Sequence, residues 1–85
     1  MIKNNIQLAE SLIEYNPQAF RSVIGEAIRH LREGRGLTQQ QLAEKMKISR
    51  TTISKIESGK FNLSIDYLSK FAFFLDFEII LQGSK

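Results

Sequence analysis

The side chains able to do chemistry crowd into the middle third of the chain. Between residues 29 and 60 stand Arg29, Arg32, Arg35, Lys45, Lys47, Arg50, Lys55 and Lys60, opposed only by Glu33, Glu44 and Glu57, a local balance of +5. Residues 1–28 hold Lys3 and Arg21 against Glu10, Glu14 and Glu26, and residues 61–85 hold Lys70 and Lys85 against Asp66, Asp76 and Glu78, so each flank sums to −1. The modest net charge of +3 therefore conceals a basic block between two acidic ends. Such a block is the electrostatic footprint of a phosphate-binding surface. On charge alone a solvated helix face is the favoured reading. Other chemistries lack their residues. With no cysteine there is no thiol nucleophile, disulfide or thiolate ligand. The single histidine, His30, has no cluster of partners and reads as a surface or boundary residue. No nucleophile and base pair, no phosphate-cradling glycine loop and no group of metal-ligating carboxylates is present, so neither an enzyme nor a cofactor or metal site is expected.

The elements that must position this block are few. Eighty-five residues, 42% hydrophobic and 25% charged, make one domain. A chain this short buries only about 60% of the surface its unfolded form exposes, and a partner chain is the most plausible source of further stabilisation. No secretory segment and no stretch near the ~20 apolar residues of a membrane span is present, and the lack of cysteine suits a reducing compartment. A soluble cytoplasmic protein is expected.

Hydrophobic spacing outlines the helices. Ile2, Ile6, Ala9 and Ile13, with Leu8 and Leu12 beside them, predict a short amphipathic helix over about residues 4–15. Asn16-Pro17 breaks it and opens the next helix, Asn16 as N-cap and Pro17 in the first turn. Phe20, Val23, Ile24, Ala27, Ile28 and Leu31 form the inward stripe, and Gly34 and Gly36 end the helix. Thr38 and Gln41 form a capping box before Leu42, Ala43 and Met46. Ser49 caps a helix from Arg50 to about Ser58 that buries Ile53 and Ile56 and stops at Gly59. Ser64 caps a fourth main helix with Ile65, Leu68, Ala72 and Leu75 on one stripe and Tyr67, Phe71 and Phe74 on another.

Two short helices joined by a tight turn, the second polar on its outer face, make a helix-turn-helix unit. Gln39, Leu42, Ala43, Met46, Ile48, Ile53 and Ile56 have the spacing that unit needs. The segment RHLREGRGLTQQQLAEKMKISRTTISKIESGK closely resembles the phage repressor/Cro-type (Xre family) helix-turn-helix domain, over about residues 21–75. One departure is Lys47 in the turn, where many members carry glycine in a left-handed conformation; lysine there costs on the order of 1 kcal/mol.

The resemblance implies sequence-specific binding to double-stranded DNA, with the third helix of the domain entering the major groove. Between Ser49 and Lys55 the outward side chains are Arg50, Thr51, Thr52, Ser54 and Lys55. Of these, Arg50, Thr51 and Lys55 match the family's base-reading positions, and an arginine can grip guanine O6 and N7 together. Gln39 matches a phosphate-binding position at the start of the second helix. Ser49, Thr52, Ser54, Arg35, Lys60 and Asn62 are auxiliary or backbone candidates. Arg32 and Glu57 match an internal ion pair and are read as structural.

The C-terminus raises a separate expectation. Residues 71–81, FAFFLDFEIIL, hold nine apolar residues in eleven. From Asp76 the pattern alternates, Phe77, Ile79 and Leu81 against Asp76, Glu78 and Gln82, which predicts a strand with no partner in the chain. HipB-type antitoxins, Xre-family dimers, end in an intermolecular strand. The resemblance implies a homodimer on a palindromic site, with Phe73, Phe74, Phe77, Ile79, Ile80 and Leu81 at its interface; a further helix packed on its own domain is the other option. The expected fold is thus all-α, four main helices plus a short N-terminal helix, with a C-terminal β-strand that pairs across a dimer. Residues 1–16 form the extension, 17–75 the domain and 76–85 the dimerisation strand and tail. The expected function is that of an autoregulatory transcriptional repressor. The alternatives are a HipB-like antitoxin that neutralises a nearby-encoded protein toxin, and an interaction module without DNA binding.

Overall fold

The computed structural model describes residues 15–83. The expected N-terminal helix lies outside the described residues. Four helices follow in order, α1 (Pro17–Gly34), α2 (Gln39–Met46), α3 (Arg50–Glu57) and α4 (Ile65–Leu75).

Each begins on the cap its sequence offers. Asn16 Oδ1 accepts from the Ala19 N–H at 3.1 Å, and Pro17 follows in the first turn, where no N–H is needed. Thr38 and Gln41 close the capping box from both sides, at 3.0 and 2.8 Å. Ser49 accepts from the Thr52 N–H at 3.0 Å, and Ser64 from the Tyr67 N–H at 3.1 Å.

The helix ends share a device the sequence shows at only two of them. After each helix one residue turns left-handed: Gly36 (φ 72°), Lys47 (φ 58°), Gly59 (φ 76°) and Asp76 (φ 55°). The next residue donates back five positions, Leu37 to Arg32, Ile48 to Ala43, Lys60 to Lys55 and Phe77 to Ala72, at 2.8–3.2 Å. This satisfies carbonyls that have lost their helical partners and folds the following side chain onto the helix end. Lys47 thus adopts the left-handed conformation the family pattern requires.

The core joins all four helices: Ile28 from α1, Leu42, Ala43 and Met46 from α2, Ile53 and Ile56 from α3, Phe71 and Leu75 from α4, and Phe77 just beyond. Gly25 lets α1 cross α3 closely, because a Cβ there would overlap the Ile56 carbonyl oxygen and come within 2.8 Å of that of Glu57. Nothing in the periodicity had singled out Gly25. Two expected core residues sit further out. Phe20 and Ile65 are exposed, both at the edge of an apolar groove of about 490 Å³ between the start of α1 and the loop before α4.

The expected C-terminal strand is not formed: residues 77–83 have no regular secondary structure, and no strand occurs among the described residues. Asp76, expected at the start of the alternating strand, instead closes α4 in the left-handed conformation, which aspartate tolerates better than most side chains. The motif carries Phe77 into its own domain's core, where it is 6% exposed. Phe77 is therefore a core residue, not part of a dimer strand. The alternation does not correspond to a buried face: Phe77 is buried, whereas Ile79 and Leu81 are exposed and Ile80 between them is half-buried.

Candidate nucleic-acid interface

The turn Lys47–Ser49 sets α2 and α3 into the helix-turn-helix arrangement, with Ile53 and Ile56 buried on one side of α3. Since these take the inner face, Arg50, Thr51 and Lys55 remain exposed, and Thr52 and Ser54 are half-buried. Thr51 and Lys55 make no side-chain hydrogen bond with the described residues, whereas Arg50 Nη1 donates to Gln39 Oε1 at 3.2 Å. The outer face of α3 thus presents two cations and a hydroxyl to solvent near its start and end. Ser49 and Thr52 are occupied in shaping the helix start, their hydroxyls 2.8 Å apart.

Beneath this face lies an ion pair. Arg32 and Glu57, each 8% exposed, form a two-point pair, Nε to Oε2 at 2.7 Å and Nη2 to Oε1 at 3.1 Å. Arg32 Nη1 also donates to the Leu37 carbonyl at 2.7 Å. The Glu57 hydrogen bond holds the Arg32 pKa above its ordinary value against the opposing effect of burial, with the negative charges of Glu57 and Glu33 adding to the rise. Burying two charges costs several kcal/mol per ion, which two parallel hydrogen bonds and the extra carbonyl offset. The pair ties α1 to the end of α3 and so to its exposed outer face.

Two candidates turn out to have other work. Arg35 donates from Nε to the Leu75 carbonyl at 2.9 Å and from Nη2 to that of Asp76 at 2.8 Å, with the Asp76 carboxylate 3.9 Å away. Its guanidinium caps the C-terminus of α4, where carbonyls concentrate negative charge. Gln39 is half-buried, and its Nε2 donates to Glu57 Oε1 at 3.0 Å, a contact that spacing did not reveal. Among the remaining candidates, Lys60 is exposed beside the left-handed Gly59, and Asn62 lines the apolar groove with Phe61 and Leu63. Gln18 Nε2 also donates to the Gly59 carbonyl, at 2.9 Å, pinning the loop after α3 onto α1. Nothing in residue type had marked Gln18 for this. His30 is exposed on α1, and no group of metal-ligating side chains occurs among the described residues.

Comparison with known proteins agrees with this geometry. A family model described as "Helix-turn-helix" (HTH_3) matches residues 28–79, which covers α2, the turn, α3 and all of α4. The chain belongs to the Xre-type helix-turn-helix family. Two curated members are similar over this region. The HTH-type transcriptional activator BcrR of Enterococcus faecalis is 46% identical over 63 residues, 71% of this chain and 30% of that protein. The competence pilus inhibition repressor of Acinetobacter baylyi is 44% identical over 50 residues, 55% of this chain and 46% of that protein. The chain thus matches less than half the length of either relative. Among solved structures, the restriction-modification controller protein C.AhdI from Aeromonas hydrophila superposes with a TM-score of 0.67 at 33% identity, over 71% of this helix-turn-helix chain and 91% of that one. By their descriptions these relatives are regulators: an activator, a repressor and a restriction-modification controller. No helix of the described residues is long and apolar enough to cross a membrane.

Proposed function

We propose that this chain is a sequence-specific, double-stranded DNA-binding regulator of transcription that acts as a homodimer on a palindromic site. The observation that carries the reading is the outward face of α3, where Arg50, Thr51 and Lys55 stand exposed on a helix whose other side is locked into the core. Arg50 is the leading base-reading residue, since a guanidinium can meet guanine O6 and N7 with two hydrogen bonds. Thr51 can offer a methyl to thymine or a hydroxyl to phosphate, and Lys55 a point charge to either. Ser54, Thr52, Lys60 and Asn62 remain candidates for backbone contact, while the contacts of Arg35 with the end of α4 favour a structural role for it.

One such head spans few base pairs, so useful specificity calls for two copies related by a two-fold axis, with half-sites about 34 Å apart or a multiple of that. Phe73, 79% exposed, together with Leu81, Ile79 and the half-buried Phe74 and Ile80, supplies apolar surface for that contact. Repression of its own transcription is the proposed outcome, by occlusion of its promoter, which implies a cytoplasmic location with the DNA. A protein toxin as partner is the competing occupant of the same apolar surface, and the names of the relatives, a transcriptional activator and a repressor, favour regulation of transcription over toxin neutralisation.

Fluorescence anisotropy with a duplex selected from a random pool tests the reading. Arg50→Ala should lower the preference for that duplex over a scrambled one by about tenfold or more. An unchanged preference overturns the assignment. For the dimer, Phe73→Asp combined with Leu81→Asp should sediment as a monomer and bind a full palindrome more weakly; an unaltered oligomeric state would remove this surface from the interface.

A further inference from the structure

The apolar groove between the start of α1 and the loop before α4 stands open. It is lined by the buried Ile56 and the half-buried Ile24, Phe61, Leu63 and Leu68, while Tyr15, Phe20, Ile65 and Leu81 at its edge are 91%, 47%, 78% and 88% exposed. Arg21 is its one charged lining residue among the described residues. Apolar surface left wet is costly in a chain too short to bury a large core, and a contiguous patch of this kind calls for a cover.

We propose that the groove is the docking site for residues 2–13 of the same chain, seated as an amphipathic helix with Ile2, Ile6, Ala9 and Ile13 turned into it. This segment is tethered where it is needed. Tyr15, the first described residue, lines the groove, and Ile13, two residues earlier, lies within about 7 Å of it along the backbone. Asn16 is extended, φ −146° and ψ 89°, as a residue before proline favours. The segment therefore meets α1 at a bend and does not prolong it. Its composition fits an apolar site: at helical periodicity Ile2, Ile6, Leu8, Ala9, Leu12 and Ile13 fall on one side, and Lys3, Asn4, Gln7, Glu10, Ser11 and Glu14 on the other. Glu10 and Glu14 outnumber Lys3, a balance that suits the positive charge of Arg21. An attached segment acts at an effective concentration on the order of millimolar and avoids the translational and rotational loss that a separate partner incurs. Docked there, residues 2–13 bridge α1, α3 and α4 through Ile24, Ile56 and Leu68 and enlarge the core. The Phe73 side of α4, which is not part of the groove, is left for the second copy.

Ile65 separates a covered groove from an open one. It is the first residue of α4, where an aspartate favours the helix dipole, so in an open groove Ile65→Asp should be neutral or stabilising. Urea unfolding of the full chain, at concentrations low enough to disfavour association, would compare wild type, Ile65→Asp, Ile6→Asp with Ile13→Asp, and all three changes together. Gln7→Asp with Ser11→Asp places the same added charge on the polar side, and Ile13→Ala repeats the comparison gently enough to keep the chain folded. If the segment fills the groove, Ile65→Asp and the Ile6, Ile13 variant each lower the ratio of folded to unfolded chain by about tenfold or more. The triple variant then loses little beyond either, because all three changes break one contact. Ile13→Ala gives a smaller loss of the same sign, and the Gln7, Ser11 control stays close to wild type. A neutral or stabilising Ile65→Asp overturns the proposal, as do additive losses in the triple variant or an equal loss in the control. Losses that vanish on dilution assign the groove to a second copy and overturn it too.

Discussion

The α2–α3 region and the segment from α4 onward present opposite chemistry to water. Around α2 and α3 the exposed side chains are polar or charged, Gln40, Gln41, Glu44, Lys45, Lys47, Ser49, Arg50, Thr51 and Lys55 among them, above an ion pair that is itself nearly buried. From α4 onward they include Ile65, Phe73 and Leu81, 78%, 79% and 88% exposed, with Tyr15 exposed at the other end of the described chain. A charged face is content in water and needs only internal anchoring to hold its shape. An apolar face costs roughly 25 cal/mol for each Å² left wet, so its cover is a thermodynamic demand. The two regions therefore differ in kind, and the proposed function pairs the charged one with DNA and the apolar one with a second copy of the chain.

The strongest way to break this comparison is to remove the anchor under the polar face. Glu57→Ala strands the Arg32 guanidinium in a nearly buried site and should cost about 3–5 kcal/mol in urea unfolding, enough to unfold much of so small a domain. A loss below about 1 kcal/mol would mean that the pair does not hold α1 to α3. Arg32 brings no pH sensitivity of its own near neutrality. Its pKa is raised in the fold, so the stability tied to its charge is present throughout the neutral range and is lost only as pH climbs through the raised value in strong alkali.

A second experiment sharpens the line within the apolar region. Phe77→Ala should cost about 3 kcal/mol, whereas Phe73→Ala should alter the stability of the monomer by no more than about 0.5 kcal/mol, measured at protein concentrations low enough to disfavour association. The reverse order would return Phe77 to the surface and undo the reading of the tail. On the polar side, Lys55→Ala should leave the melting temperature nearly unchanged and weaken DNA binding, equally on selected and scrambled duplexes with a shallower salt slope if it meets phosphate, or with a reduced preference if it reads a base. The smallest effect is expected at the turn. Lys47→Gly relieves a left-handed lysine and should stabilise the chain by up to about 1 kcal/mol in the same urea titration.

Much of the fold was legible because its signals are local. Asn16, Thr38, Ser49 and Ser64 cap the helices they precede, since a cap needs only a short polar side chain and an N–H three residues on. Leu42, Ala43, Met46, Ile53 and Ile56 lie in the core because helical spacing dictates which side chains share a face. Arg50, Thr51 and Lys55 are exposed for the same reason, as what remains when the inner face is taken.

The tail departs from its expected strand because alternation over a few residues cannot tell a strand from a chain that leaves a helix and dips once into the core. Asp76 carries no local mark of a left-handed helix stop comparable to the glycines at 36 and 59, and only the packing of Phe77 against α4 and its neighbours settles it. Arg35 and Gln39 share that difficulty. Their donors find the carbonyls of Leu75 and Asp76 and the carboxylate of Glu57, which lie 40, 41 and 18 residues away along the chain. By itself, then, the sequence determined where each helix starts, which side chains line the helix-turn-helix core and which face solvent, because these follow from hydrogen bonds and periodicities spanning a few residues. Only the tertiary structure decided which polar side chains are used up inside the molecule and where the last apolar residues go, because those outcomes depend on groups that folding alone brings within 3 Å.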